Sequence, residues 1–301
     1  MPRIRDFFTD CAVYIYRSTQ EAIDGEKQGG SGFLVSVPLV VAGKDHGSFV
    51  YAVTNHHVVR KAKTPVIRLN RIDGTTECIT TELQHWKQHE DGDDIAVMPI
   101  GFNWDQIKFN AISIQVFLTP QLVVDEDVGI GDDTFMVGRF ISHEGRQQNA
   151  PALRFGNIAM MNKERIVSEN GLAQESFLVE VRSLPGYSGS AVFLYSPCAM
   201  NDMSARRHGK STQSTIGKKQ LTSEEMALLT EQMAPKGPYL LGIDWCHLQQ
   251  TSKVLEKGTG DPHPDGWYVS ENTGMAGVIP AWKVAELLDC LQPSAKNTKK
   301  G

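Results

Sequence analysis

The sequence predicts an all-β fold, a barrel or a sandwich, from three observations. Short runs rich in Val, Ile, Phe or Tyr recur through most of the chain. Gly, Asn, Asp or Pro separates these runs, as turns between strands require. Convincing helical patterns, in contrast, are few and come late in the chain.

Ten runs are expected to form strands. In chain order they are Cys11–Arg17, Gly32–Val37, Ser48–Thr54, Pro65–Asn70, Asp94–Pro99, Ser113–Leu118, Thr134–Gly138, Phe177–Val181, Ala191–Tyr195 and Tyr239–Ile243. Each has the length and the β-branched or aromatic content that strands favour. Asp73-Gly74 lies between two apolar runs and predicts a hairpin turn.

Two segments predict helices. Ser223–Met233 follows Thr222, and Glu225 completes a capping box three residues after it. Ala281–Leu291 begins after Pro280 and places its apolar residues at helical spacing. The fold is therefore expected to end in a C-terminal helix.

Three stretches are expected to be irregular. Ser204–Lys219 contains five basic residues and no acid, so we expect a solvated loop; a docking patch for an acidic partner is the alternative. Lys253–Asn272 is rich in Gly and Pro and predicts a long surface loop. Residues 293–301 form a polar tail that we expect to be disordered.

Composition excludes some classes of function. The 301 residues include 30 basic and 35 acidic side chains, which gives a net charge of −5. Many nucleic-acid-binding proteins are basic as a whole, so this charge disfavours that class. No apolar run approaches the ~18 residues of a membrane span. The cysteines are odd in number and far apart in sequence, so we expect a reduced protein in the cytoplasm. They are Cys11, Cys78, Cys198, Cys246 and Cys290.

The segment Pro185–Ala191 contains a serine between glycines, followed by an apolar run. Small neighbours let the backbone turn sharply and let a substrate carbonyl approach Ser188. The N–H groups of Gly186 and Ser188 are then placed to stabilise an oxyanion. The nucleophile elbow of α/β-hydrolases is excluded, because residue 190 is Ser rather than Gly and the partners of the serine precede it.

Two upstream segments supply the partners that a serine nucleophile needs. A β-rich run ends at His56 and His57, and imidazole is the base that activates a hydroxyl at neutral pH. Asp94 begins an apolar strand, where a carboxylate can orient an imidazole and stabilise its protonated form. Of the two adjacent imidazoles, we expect His57 to act, because Val58-Val59 follows it in register.

The His, Asp and Ser segments together resemble trypsin-like serine proteases of the chymotrypsin fold, in their HtrA-like branch without a PDZ domain. Each segment matches a family motif, and the order His, Asp, Ser is the family's order. Further resemblance lies in Gly30–Val35, Leu241–Asp244 and Gly277–Pro280. The resemblance covers about residues 10–292, and His56 departs from it because the family places a small residue there.

The resemblance implies one protease domain over residues 1–292, built from two packed six-stranded antiparallel β-barrels. The first barrel is expected over about residues 10–115, the second over about 116–280, and the helix over 281–291. His57, Asp94 and Ser188 would form the catalytic triad of a serine endopeptidase that acts through an acyl-enzyme. The alternative is a protease-fold regulatory or peptide-binding module that is dormant until a partner activates it.

The resemblance also implies the partners. We expect a protein or peptide substrate, no cofactor, no metal, no nucleic acid and no membrane. A protein activator and a homo-oligomer are both compatible with the family. Arg182, six residues before Ser188, would form the floor of the primary specificity pocket and favour an acidic side chain in the substrate. The alternative is that Arg182 pairs with Asp244 or points to solvent. Asp244 and Trp245 would form a wall of that pocket.

Three further features are expected to provide neither a metal site nor a second nucleophile. His85 and His89 are four residues apart, but they lack the adjacent Glu of a metal-binding helix, so we expect a solvated surface. The run Asp91–Asp94 lacks the spacing of a calcium loop. Cys246 follows the predicted pocket strand and is expected to be a buried structural thiol.

Overall fold

The computed structural model describes residues 4–25, 29–41, 44–62, 64–140, 145–161, 164–168, 171–181, 186–195 and 238–291. Strands are the predominant regular structure among these residues, as the sequence predicts. The predicted helix at Ser223–Met233, the basic stretch Ser204–Lys219, residues 293–301 and Arg182 lie outside the described residues.

The N-terminal half forms one sheet in the strand order β5-β4-β1-β2-β3-β7-β6, with β8 paired to β2 in parallel. Residues from five of its strands share one apolar core, which includes Ile15, Leu34 and Ile67. The strands are β1 (Ala12–Tyr16), β2 (Gly30–Val41), β3 (Lys44–Thr54), β4 (Val66–Asn70), β5 (Thr76–Thr80), β6 (Lys87–Gln88), β7 (Ala96–Pro99) and β8 (Ile112–Ser113).

The C-terminal half forms a closed barrel in the order β10-β13-β16-β15-β14-β9. Its interior is filled by apolar side chains from every strand, among them Ile158 and Leu241. The strands are β9 (Asp133–Gly138), β10 (Ala152–Met161), β13 (Phe177–Glu180), β14 (Ala191–Leu194), β15 (Tyr239–Lys253) and β16 (Tyr268–Pro280). A separate two-stranded sheet joins β11 (Ile166–Val167) to β12 (Ala173–Gln174).

Short helices connect the strands, and one longer helix ends the described fold. The α-helices are α1 (Asp6–Thr9), α2 (Thr19–Asp24), α3 (His56–Lys61), α4 (Pro120–Asp125) and α5 (Ala281–Leu291). Two 3₁₀ turns span Leu83–His85 and Ile114–Val116. The predicted C-terminal helix is confirmed as α5, which buries Val284, Leu287 and Leu288.

The structure corrects three expectations about the strands. The first half is an eight-stranded sheet rather than a six-stranded barrel, and in the part of the chain that is described β5 does not pair with β6. The two residues of β6 pair with β7 instead. Predicted strand Ser113–Leu118 is mostly a 3₁₀ turn, in which the Ser113 hydroxyl accepts a hydrogen bond from the Gln115 N–H.

The predicted surface loop Lys253–Asn272 is the third correction. Strand β15 continues to Lys253 and β16 begins at Tyr268, so the loop is confined to residues 254–267. The two strands pair through Gln249↔Asn272 and on to Lys253↔Tyr268 as a ribbon beyond the barrel. Because the side chains of this ribbon are mostly exposed, it lacks the apolar alternation that identifies strands in a sequence.

A shared apolar core joins the sheet to the barrel. It combines Phe33 and Val53 from the sheet with Phe135 and Phe193 from the barrel, and helix α5 covers it. The Phe135 and Phe193 rings stack with centroids 4.9 Å apart, and the Phe8 ring meets Phe193 edge to face. This core fixes the two halves against each other and thereby positions the groove between them. No helix among the described residues has both the length and the apolar content needed to cross a membrane.

We expect Phe193→Ala to lower the free energy of unfolding by about 3–5 kcal/mol, because it empties a fully buried site at this shared core. Urea denaturation monitored by circular dichroism measures the change. Phe49→Ala is the control, because the Phe49 side chain is 39% exposed and its loss should cost less than about 1 kcal/mol. Equal losses in the two variants would contradict the role given to this core.

Candidate active site

Asp94 is held rigidly just before strand β7. Its side chain is 3% exposed. Its backbone N–H donates to the buried Gln174 Oε1 at 2.9 Å, and its carbonyl accepts from Asn55 Nδ2 at 2.9 Å. The Asn55 side chain therefore does not cap helix α3, although Asn55 occupies its N-cap position. These bonds fix the carboxylate beside the start of that helix.

His57 makes two contacts with the Asp94 carboxylate. Its ring Nδ1 lies 2.5 Å from Oδ2, and its backbone N–H donates to Oδ1 at 2.8 Å. Since a carboxylate only accepts, Nδ1 carries the hydrogen and Nε2 presents its lone pair. The adjacent His56 makes no such bond, and burial lowers the pKa of its ring. The structure thus brings His57, and not its neighbour, to the acid.

Ser188 lies half-buried in a tight turn between the barrel and the sheet. Gly189 adopts φ +91°, and a Cβ there would lie 2.1 Å from the Ser31 carbonyl oxygen, so only glycine fits. The Gly189 N–H donates to the Asp244 carbonyl at 2.8 Å, which ties the turn to β15. Gly186 also has positive φ, +99°, at the other side of the serine.

Ser31 on strand β2 joins the sheet to this turn. Its N–H donates to the Ser188 carbonyl at 2.9 Å, and its hydroxyl donates to the Gly186 carbonyl at 2.8 Å. The same hydroxyl accepts from the Arg139 N–H, and the Ser31 carbonyl accepts from Thr54 Oγ1. In the sequence, this segment is marked only by its resemblance to the family. The glycines on both sides of Ser31 were the available signal that backbones approach closely there.

His57, Asp94 and Ser188 open onto one cavity of about 340 Å³. It is lined further by Lys61, by Ser168 and Leu172 near the two-stranded sheet, and by Trp245, Cys246, His247 and Gln249 of β15. No hydrogen bond within 3.5 Å joins the Ser188 hydroxyl to the His57 ring in the described structure. The N–H groups of Gly186 and Ser188 likewise meet no acceptor among the described residues, so they are available to a bound oxyanion.

The predicted pocket residues have different positions. Trp245 lines the cavity, and its indole N–H donates to Ser176 Oγ at 2.9 Å. Asp244 is 1% exposed and does not line the cavity; its backbone holds the nucleophile turn instead. The pairing proposed between Arg182 and Asp244 falls outside the described residues. Sequence reasoning missed Lys61, His247 and Gln249, because no motif marks them.

Cys246 is the other potential nucleophile in this cavity. Burial raises the pKa of its thiol to about 12, with a further contribution from Asp244. At neutral pH the thiol is therefore protonated, and a protonated thiol is a poor nucleophile. Its half-buried position agrees with a structural role more than with a reactive one.

The fold and the site together define a trypsin-like peptidase domain. The model of the family described as "Trypsin-like peptidase domain" matches residues 30–196, which is more than half of the chain. The chain belongs to this family, as the resemblance of the three sequence segments implies. A search of the curated proteins found no match.

The chain also resembles solved structures at low sequence identity. The apo protease domain of MamO from Magnetospirillum magneticum aligns with a TM-score of 0.51 at 13% identity, covering 95% of this chain and 98% of that one, which shows a shared fold. Deg5 aligns with a TM-score of 0.47 at 17% identity, covering 93% and 88%. An inactive serine-to-alanine variant of Rv3671c from M. tuberculosis H37Rv aligns with a TM-score of 0.47 at 12% identity, covering 95% and 90%.

We expect Ser31→Ala to lower the free energy of unfolding by about 1–3 kcal/mol. The substitution leaves the Arg139 N–H without its acceptor and the Gly186 carbonyl without its donor, both in a buried region. Urea denaturation measures the loss, and Ser48→Ala on an exposed part of β3 is the matched control. A Ser31→Ala protein as stable as the control would show that these bonds do not join the two halves.

Proposed function

We propose that this protein is a serine endopeptidase in which Ser188 is the nucleophile, His57 the general base and Asp94 the residue that orients the base. The observation that carries the proposal is the 2.5 Å contact of His57 Nδ1 with the buried Asp94 carboxylate, at a cavity that Ser188 also lines. That contact selects the ring tautomer whose Nε2 can accept a proton. The family membership of the chain supports the same chemistry.

The reaction begins with attack of Ser188 Oγ on the carbonyl carbon of a peptide substrate. The Oγ–C bond forms while the hydroxyl proton passes to His57 Nε2, and the carbonyl electron pair moves onto the oxygen. The N–H groups of Gly186 and Ser188 stabilise this oxyanion. Asp94 stabilises the imidazolium and does not itself become protonated.

Collapse of this intermediate breaks the C–N bond. His57 transfers its proton to the leaving amine, and the acyl group remains on Ser188. A water molecule then attacks the ester, His57 again accepts the proton, and the acid is released as Ser188 regains its hydrogen. Apart from the substrate and this water, each step uses only side chains and N–H groups of the chain.

A protein or peptide substrate and a cytoplasmic location belong to this proposal. The four described cysteines, Cys11, Cys78, Cys246 and Cys290, are all free thiols. Free thiols are typical of proteins from reducing compartments. The preference for acidic substrates attributed to Arg182 remains part of the proposal as well.

A second candidate function is a protease-fold module that is dormant until a partner activates it. The observation that favours it is the absence of a hydrogen bond between Ser188 and His57 in the described structure. General-base catalysis needs these groups within about 2.6–3.2 Å, directly or through one water, although such bonds are often longer before substrate binds. The two candidates differ in whether Ser188 reacts without a partner.

Covalent labelling separates these candidates. We expect a fluorophosphonate probe to add one label to the wild-type protein and none to Ser188→Ala, as measured by intact mass, because only an activated serine attacks the probe. Absence of label from both proteins would favour the dormant module. A label that persists in Ser188→Ala would contradict the assignment of the nucleophile.

The role of Asp94 has its own test. We expect Asp94→Asn to slow labelling of Ser188 by about 10²-fold or more, because the amide no longer holds His57 as a general base. The labelling rate is followed by mass spectrometry over time. Asp105→Asn, at an exposed acid outside the cavity, should label at the wild-type rate. If Asp94→Asn labelled as fast as this control, Asp94 would not orient the base.

A further inference from the structure

Three potential metal ligands alternate immediately before Asp94. One atom from each of His89, Asp91 and Asp93 lies within 4.8 Å of the other two. His89 is only 7% exposed, so the expectation of a solvated surface is wrong for this residue. His85, which the sequence analysis paired with it, is exposed and does not belong to the group.

Asp93 is the unusual member of this group. Its side chain has no exposed surface, and neither carboxylate oxygen has a hydrogen-bond donor in the described structure. The nearest charged atoms are His89 Nδ1 at 3.4 Å and Lys283 Nζ at 3.8 Å from Oδ2. A buried carboxylate without hydrogen bonds is unfavourable, and a bound cation is one way to compensate it.

His89 is oriented as metal-binding histidines are. Its Nε2 lies 3.3 Å from Glu286 Oε2 on helix α5, and its Nδ1 faces Asp93. With Nε2–H directed at Glu286, the Nδ1 lone pair accepts from the Asp91 N–H at 3.3 Å, and the Asp93 carboxylate is left without a donor. A metal-binding histidine usually donates its other N–H to a carboxylate in this way. An ion at Nδ1 would replace the bond from the Asp91 N–H and would compensate the Asp93 carboxylate.

We propose that His89 Nδ1 and the carboxylates of Asp91 and Asp93 bind one divalent transition-metal ion such as Zn²⁺. One imidazole with two carboxylates is a donor set that suits this class of ion, and three protein ligands leave a position for water. A cavity of about 180 Å³, lined by His89, Asp91 and Glu286 among others, lies beside the group and provides an entry path.

Lys283 is the group that opposes this ion. Its ammonium lies 3.1 Å from Glu286 and 4.0 Å from Glu175, as well as 3.8 Å from Asp93. Glu175 and Glu286 are half-exposed, and both remain ion-pair partners of the Lys283 ammonium when the ion binds the Asp93 carboxylate. The ion would then join the segment before Asp94 to Glu286 of α5 through His89.

The test measures binding directly and does not depend on protease activity. Full-length protein is freed of metal with a chelator, and ZnCl₂ alone is added in a calorimetric titration, with native mass spectrometry for the stoichiometry. We expect one Zn²⁺ per chain. Asp91→Asn should weaken binding at least about 10-fold, because it removes a ligand at an exposed position that the fold does not need.

Glu90→Gln is the matched control. It removes one negative charge from an exposed residue that lines the same cavity and lies outside the three-ligand group. We expect its affinity to stay within about twofold of wild type. Failure of the wild-type protein to bind Zn²⁺, unchanged affinity in Asp91→Asn, or equal weakening in both variants would each overturn the proposal. Labelling of Ser188 is scored separately, so the two proposals fail independently.

Discussion

The hydrogen bonds of Ser31 are the constraint on which the site depends. Through one backbone N–H and one hydroxyl, this residue of the sheet holds the carbonyls on both sides of the nucleophile turn. The contact is close enough that Gly189 cannot carry a side chain. Strand β3 of the same sheet leads directly into the helix that contains His57. The orientation of the sheet against the barrel therefore decides whether Ser188 and His57 face one cavity.

The base and its acid form a second rigid unit. Both carboxylate oxygens of Asp94 accept hydrogen bonds from His57. The side chains of Gln174 and Asn55 bond to the Asp94 backbone. A buried carboxylate is costly unless its oxygens have donors, so this unit is stable only with the imidazole in place. The large apolar core between sheet and barrel supplies the stability that allows such polar groups to be buried near the groove.

The neighbouring carboxylates of Asp93 and Asp94 differ in their hydrogen-bond donors. Asp94 has a donor for each oxygen, whereas Asp93 has none in the described structure and faces His89 and Lys283. The chain turns tightly at Asp94, where the Ile95 N–H donates to the Asp93 carbonyl at 2.7 Å. The Asp94 carboxylate faces the groove, and the Asp93 carboxylate lies near Lys283 of helix α5. An ion bound at Asp93 would therefore act on the same short segment that holds Asp94, without entering the groove.

The sequence by itself determined the β-rich class, the C-terminal helix and the three segments that contain His57, Asp94 and Ser188, because strand periodicity and local motifs are encoded within a few residues. The tertiary structure agrees with the choice of His57 over His56, and it alone decided that Ser31 holds the turn of Ser188 and that the ribbon of β15 and β16 replaces a loop. These outcomes depend on contacts between segments far apart in the chain. Such contacts leave no periodic pattern in either segment alone.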